Sequence, residues 1–201
     1  MILSMSLGQK TMLATTTTDF TEEEVQIMLD NLDSYSDDEV AEISRIVDEL
    51  DSRKGNEAAY ADLIDFAQAM MPEFLVGKHH RILANELMAI EAGERDRVCV
   101  NIPPRHGKSQ LVSIFYPAWF LGRNPGKKVM MVSHTTDLAV DFGRKVRNLI
   151  SMDAYKAIFP TVSLAIDSKS AGRWNTNVGG EYYACGVGSA LAGRGADLLL
   201  I

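Results

Sequence analysis

The spacing of apolar residues changes partway along the chain. In the first half, apolar positions recur every three or four residues, the spacing of one helix face. Val40, Ile43, Val47 and Leu50 form one such stripe, with acids on the other side. Two start signals precede these patterns. Thr21-Glu22-Glu23-Glu24 and Ser36-Asp37-Asp38-Glu39 both have a hydroxyl residue three positions before a carboxylate, the spacing at which each satisfies the other's orphan amide. Lys54-Gly55-Asn56 interrupts the pattern and reads as a linker. Further helices are predicted over 57–71, stopping at Pro72, and over 78–90, ending near Gly93.

From residue 97 the rhythm shortens. Residues 97–102, 129–133, 181–187 and 196–201 are short apolar runs of strand length, and 108–121 and 135–150 are helical in spacing. On the helix after the second strand, Leu138, Phe142, Val146 and Leu149 are the expected buried stripe. Strands alternating with helices predict an α/β fold, a mostly parallel sheet flanked by helices. The expected organisation is a tail over 1–18, an acidic helical segment over 19–54 and the α/β domain over 57–201. There are no internal repeats.

Charge sharpens this division. The formal net charge is −7, yet residues 19–54 hold 13 acidic and 3 basic residues, and the part from Gly55 onward holds 14 acidic and 16 basic. The larger part is thus nearly neutral and can face a polyanion locally. The acidic helices read either as a hairpin packed on the main domain or as a docking arm for another protein. Hydrophobic residues make up 46% of the chain, enough for a sizeable core. Cys99 and Cys185 lie far apart within apolar runs, which suits a reducing cytosol better than a disulfide framework. The apolar patch over 2–7 is too short for a signal core, and no apolar run is long enough to cross a bilayer.

The candidate chemistry lies between the first expected strand and its helix, in Pro103-Pro104-Arg105-His106-Gly107-Lys108-Ser109. A loop in that position points backbone amides at a phosphate, and the helix N-terminus adds partial positive charge. Gly107 permits close approach, Lys108 reaches the β- and γ-phosphates, and the Ser109 hydroxyl holds Mg²⁺. The general pattern has a glycine five residues before Gly107, where this chain has Ile102. The other reading is a surface turn, which has no need of Lys-Ser after its glycine. Pro117, inside the following helix, predicts a kink.

The residues from Met71 to Ile201 resemble the large terminase subunit of tailed bacteriophages, in its N-terminal ATPase region. The resemblance is carried by Phe74 through Glu91 with His79-His80, by Asn101 through Ser109 as a variant Walker A lacking the leading glycine, and by Phe115-Tyr-Pro-Ala-Trp119 with Asn124-Pro125. Ser133-His134, Leu138-Ala139, Phe142 through Arg147, Arg173-Trp174-Asn175, Gly179-Gly180 and Gly188 through Asp197 continue it. It implies a P-loop NTPase fold and an ATPase motor for DNA packaging. The expected cofactors are ATP and Mg²⁺. Nucleotide contacts are expected from Pro104, Arg105, His106, Gly107, Lys108, Ser109 and Gln110, with Lys108 and Arg105 acting on the γ-phosphate and His79 and His80 near the adenine. Arg144, Arg147 and Arg194 are expected to act on a neighbouring subunit's nucleotide, to contact DNA phosphates, or to form solvated basic surface. The implied partners are double-stranded DNA, the phage portal protein, the small terminase subunit and further copies of the chain, in the host bacterial cytoplasm and with no membrane. Leu198-Leu199-Leu200-Ile201 resembles the strand that precedes the two Walker B acids, so an incomplete ATPase domain is expected, with the acids and a nuclease domain beyond it. Asp197 precedes that strand and stands at its wrong end. Two alternatives remain: a non-catalytic nucleotide-binding fragment, and a helicase-like P-loop ATPase.

Overall fold

The computed structural model describes residues 20–168, 170–189 and 193–201. The expected tail over 1–18 lies outside the described residues. The chain divides into two compact units, with the boundary between Gly55 and Asn56.

In the first unit the first start signal is realised reciprocally, and the second through the carboxylate's half. The Thr21 amide donates to the Glu24 carboxylate at 2.9 Å, and the Glu24 amide donates to the Thr21 hydroxyl at 3.3 Å, opening α1 (Glu22–Asp30). The Ser36 amide and hydroxyl both donate to Glu39 at 2.9 Å at the head of α2 (Asp37–Ala61). Those bonds, the backbone one first, hold the Glu39 carboxyl below its ordinary range. Val25 and Met28 of α1 pack with Phe20, Ile43, Ile46 and Leu50 into a small core.

The expected linker is corrected. Lys54-Gly55-Asn56 lies inside α2, which continues to Ala61. A mid-helix glycine costs only about 1 kcal/mol relative to alanine, too little to end a helix that has partners on both sides. The chain breaks instead at Asp62, whose carboxylate accepts from the Ile64 and Asp65 amides at 2.8 and 3.1 Å and caps α3 (Leu63–Met70). A side chain that satisfies orphan amides is a stronger boundary than a residue that merely loosens the backbone.

In the second unit, Arg81 of α4 (Lys78–Glu91) donates to both oxygens of Asp62 at 2.8 and 2.7 Å. The expected strand over 97–102 does not form. Half-buried Val98, Val100 and Ile102 alternate with exposed Cys99 and Asn101, and Val100 and Ile102 pack against the core. Among the described residues no strand pairs with this segment, so it does not stand beside 196–201 in the sheet. Period-two burial is half of what defines a strand; lateral hydrogen bonding is the other half.

The helix that follows has three parts: α5 (Lys108–Gln110), a π-helical turn (Leu111–Phe115) and α6 (Tyr116–Arg123). The expected disturbance from Pro117 takes the form of that turn. Proline has no amide to donate and its ring crowds the carbonyl four residues back, which a wider turn accommodates. Trp119 of α6 is buried and donates from Nε1 to the Ala59 and Tyr60 carbonyls, each at 3.2 Å.

The sheet has four strands in the order β2-β3-β1-β4. β1 (Lys128–Ser133) pairs in parallel with β3 (Glu181–Gly186) and β4 (Leu198–Leu200). β2 (Arg173–Asn175) pairs antiparallel to β3, so the α/β fold has a mixed sheet. Neither β2 nor the short helix α8 (Asp153–Ile158) is among the expected elements.

Helix α7 (Thr136–Ile150) lies across β1 and β3. Its expected stripe is corrected by one position at its start: Leu138 is 46% exposed, and Ala139, Gly143, Val146, Leu149 and Ile150 are buried. The small residues mark the face of closest approach. The Gly143 carbonyl accepts from Trp174 Nε1 at 3.1 Å, and Trp174 stacks on Tyr182 with centroids 4.9 Å apart. A Cβ at Gly143 would lie 2.5 Å from the Ala171 carbonyl oxygen and 3.0 Å from the Tyr182 ring. Gly143→Ala is therefore expected to destabilise the second unit by about 1–3 kcal/mol, measured by urea unfolding. An unchanged midpoint would show that α7 has room to shift.

Candidate functional site

The loop before Lys108 has an unusual backbone. Arg105 adopts φ 64°, the sole non-glycine residue with positive φ among the described residues, and Gly107 adopts φ 72°. Left-handed residues thus stand on either side of His106, and left-handed positions in a tight loop are an ingredient of backbone anion-binding hollows. The left-handed region is costly for a residue with a Cβ, and such costs are concentrated at functional sites. The loop feeds straight into a helix, whose first turn closes with the Leu111 amide donating to the Gly107 carbonyl at 3.0 Å. The remaining amides of that turn are the orphan donors of a helix start. Lys108 and Gln110 are half-buried and Ser109 is exposed, as are Pro104, Arg105 and His106. All the expected loop residues thus gather at one helix head. Gln110 Nε2 meets Met71 Sδ at 3.7 Å.

The loop is held from outside by histidines. His80 is 5% exposed, in a core of aromatic rings that includes Phe74 at 4.9 Å between centroids. Its Nδ1 accepts the Gly77 amide at 3.0 Å, and its Nε2 lies 2.9 Å from the His106 carbonyl oxygen. An amide can only donate, so Nδ1 carries the lone pair and Nε2 carries the proton and donates to His106. Burial pushes the His80 imidazolium toward proton loss, against the bond to the His106 carbonyl, which favours the charged form. His79 Nε2 lies 3.2 Å from the same carbonyl oxygen and 3.1 Å from His80 Nε2. The His106 ring turns back to its own loop, with Nδ1 2.8 Å from the Pro104 carbonyl. Both nitrogens of His80 are thus occupied by backbone groups. This role was not anticipated from sequence, although His80 stands three residues after Gly77, the spacing of a side chain that caps a helix start.

The other candidate cations have their described contacts elsewhere. Arg144 and Lys145 both pair with Asp141, at 3.3 and 2.7 Å, and the Lys145 hydrogen bond is the first cause that lowers the Asp141 carboxyl. Arg147 is half-buried on the same helix. Arg194 lies over the Tyr183 ring at 4.2 Å. The Asp197 carboxylate accepts the Lys128 amide at 2.8 Å, which puts it at the starting end of β1 and β4. Among the described residues no group of three or more His, Cys, Asp or Glu is arranged to hold a metal ion, and no helix is long and apolar enough to cross a membrane.

Residues 99–183 match the family model described as terminase large subunit, T4likevirus-type, N-terminal. No curated protein and no solved structure matches the chain.

Proposed function

We propose, from the match of residues 99–183 to the large terminase subunit family model, that the chain is the nucleotide-binding part of a phage DNA-packaging ATPase with a P-loop NTPase fold. The observation that carries this reading is the paired left-handed backbone at Arg105 and Gly107, set at the head of the helix that begins at Lys108. A loop of this backbone, followed directly by a lysine and a serine at a helix head, suits a chain of phosphates. Pro104 through Gln110 form the cradle. Lys108 places its ammonium against the β- and γ-oxygens, and Arg105 extends from the rim toward the γ-phosphate. The Ser109 hydroxyl is an oxygen donor of the kind Mg²⁺ takes alongside phosphate oxygens. The ion, when bound, neutralises charge that develops as the terminal phosphoryl group leaves.

The same premise supports double-stranded DNA, the portal protein, the small terminase subunit and further copies of the chain as partners, in the host cytoplasm. Arg144, Arg147 and Arg194 are the cations proposed to meet DNA phosphates or a neighbouring subunit's nucleotide. The test is a calorimetric titration with ATP, with and without Mg²⁺, of the wild type and Ser109→Ala. Mg²⁺ is expected to tighten ATP binding to the wild type and to have little effect on the variant. An equal gain from Mg²⁺ in both proteins would remove Ser109 from the site, and no ATP binding by folded wild type would reject the reading.

A further inference from the structure

We propose that His80 is a positioning residue for the phosphate loop, fixing its backbone through the His106 carbonyl so that the amides are aimed before nucleotide arrives. This rests on the nucleotide-binding reading above for its purpose, though the loop geometry itself is testable without ligand.

Two independent features point to it. The first is the bond chain. The Gly77 amide donates to His80 Nδ1, and His80 Nε2 donates to the carbonyl of His106, the residue between the two left-handed positions. One imidazole thereby joins the start of α4 to the middle of the loop, across 26 positions of sequence. The second is contact. A Cβ at Gly107 would lie 2.4 Å from His80 Nε2, so the ring fills the space under the glycine as well as bonding the carbonyl beside it. The ring cannot swing away easily, because Phe74 and His79 flank it at 4.9 and 3.9 Å between centroids. Phe74 is in turn set edge-on against Phe115 of the π-helical turn, with centroids 5.4 Å apart.

The consequence is preorganisation. A short loop with two left-handed residues has other conformations available, and holding it in one before binding removes an ordering cost from the binding step. The carbonyl of His106 is the natural handle, because fixing it turns the peptide unit whose N–H belongs to Gly107. His79 adds a second contact to the same oxygen, which has two lone pairs to offer.

The test compares His80→Leu, His80→Gln and Lys108→Ala in the full chain. Leucine removes both bonds. Glutamine restores both in principle: its oxygen can accept the Gly77 amide, as residues at this cap position do, and its NH₂ can donate to the His106 carbonyl. Hydrogen exchange without nucleotide is read at the amides of 105–109, with α6 as internal reference. The expected result is faster loop exchange in His80→Leu, an unchanged α6, and recovery in His80→Gln. MgATP affinity is expected to fall about tenfold in His80→Leu and to lie within about threefold of wild type in His80→Gln, the scale of one or two hydrogen bonds. Wild-type loop exchange in His80→Leu overturns the proposal. So does undiminished MgATP affinity in that variant when Lys108→Ala has lost it. Should His80→Leu not fold, His80→Gln with loop exchange as fast as a free peptide's overturns it equally. If Lys108→Ala binds MgATP as the wild type does, the nucleotide reading fails, and the exchange measurement still decides whether His80 holds the loop.

Discussion

Lys108→Ala is expected to lower ATP affinity between about tenfold and a hundredfold, the range for losing a charge-assisted hydrogen bond to a bound ligand. Lys108 is the first residue of the helix that the loop opens, and it is half-buried. Among the described residues no carboxylate pairs with it. Its position makes the effect specific: it directly follows Gly107 at the head of the helix that the loop opens, the place of the phosphate-binding lysine in the proposed reading. Removing it leaves the backbone hollow intact, so weak binding through amides should persist. Calorimetric titration of wild type and variant gives the ratio directly. Equal affinities would mean that the phosphates do not lie against this helix head, whatever the loop resembles.

Trp119→Ala is expected to destabilise the second unit by about 3–5 kcal/mol, which corresponds to a fall in melting temperature on the order of 10 °C. The indole is almost wholly buried and donates to the Ala59 and Tyr60 carbonyls at the end of α2, so its loss opens a large cavity and removes the indole's bond to each, although the Tyr60 carbonyl keeps its bond from Arg123 Nη1 at 3.1 Å. Arg123 adds to the cost. Its guanidinium lies over both the Trp119 and Tyr60 rings, at 4.8 and 5.0 Å, while its Nε reaches Glu91 at 3.2 Å. The chain has two tryptophans, so in this variant Trp174, stacked on Tyr182 in the same unit, remains as the fluorescent reporter. A melting temperature within a degree or two of wild type would show that the site collapses around the missing ring.

The sequence makes some of these features plain and hides others, for identifiable reasons. Both hydroxyl-to-carboxylate helix starts were legible because the two groups are three residues apart and need nothing from the rest of the chain. So were β1, β3 and β4, where apolar runs of strand length find partners in the sheet. The segment 97–102 has the same alternation, and no local signal tells whether an extended run has a neighbour to bond. The small face of α7 was misread because size suggested Leu138 over Ala139, whereas close approach to β3 selects small residues. The loop itself was visible as Gly-Lys-Ser between an extended run and a helix. Its left-handed Arg105 was not, since arginine carries no preference for that backbone, and neither was His80, whose partner lies 26 residues on.

The π-helical turn over 111–115 also sets a direction. Each residue added to an α-helix rotates everything beyond it by about 100° around the axis. One surplus residue, taken up locally as a wider turn, therefore changes the azimuth of Lys108 and Ser109 relative to Trp119 without moving either end along the chain much. The core-packed half of the helix can keep its grip on Ala59 and Tyr60 while the other half is turned like a dial. Deleting one residue from this turn would leave a regular helix of the same composition, with the lysine and serine facing a different quarter of the molecule. The aim of the loop is thus written partly in a count of residues, independent of which residues they are.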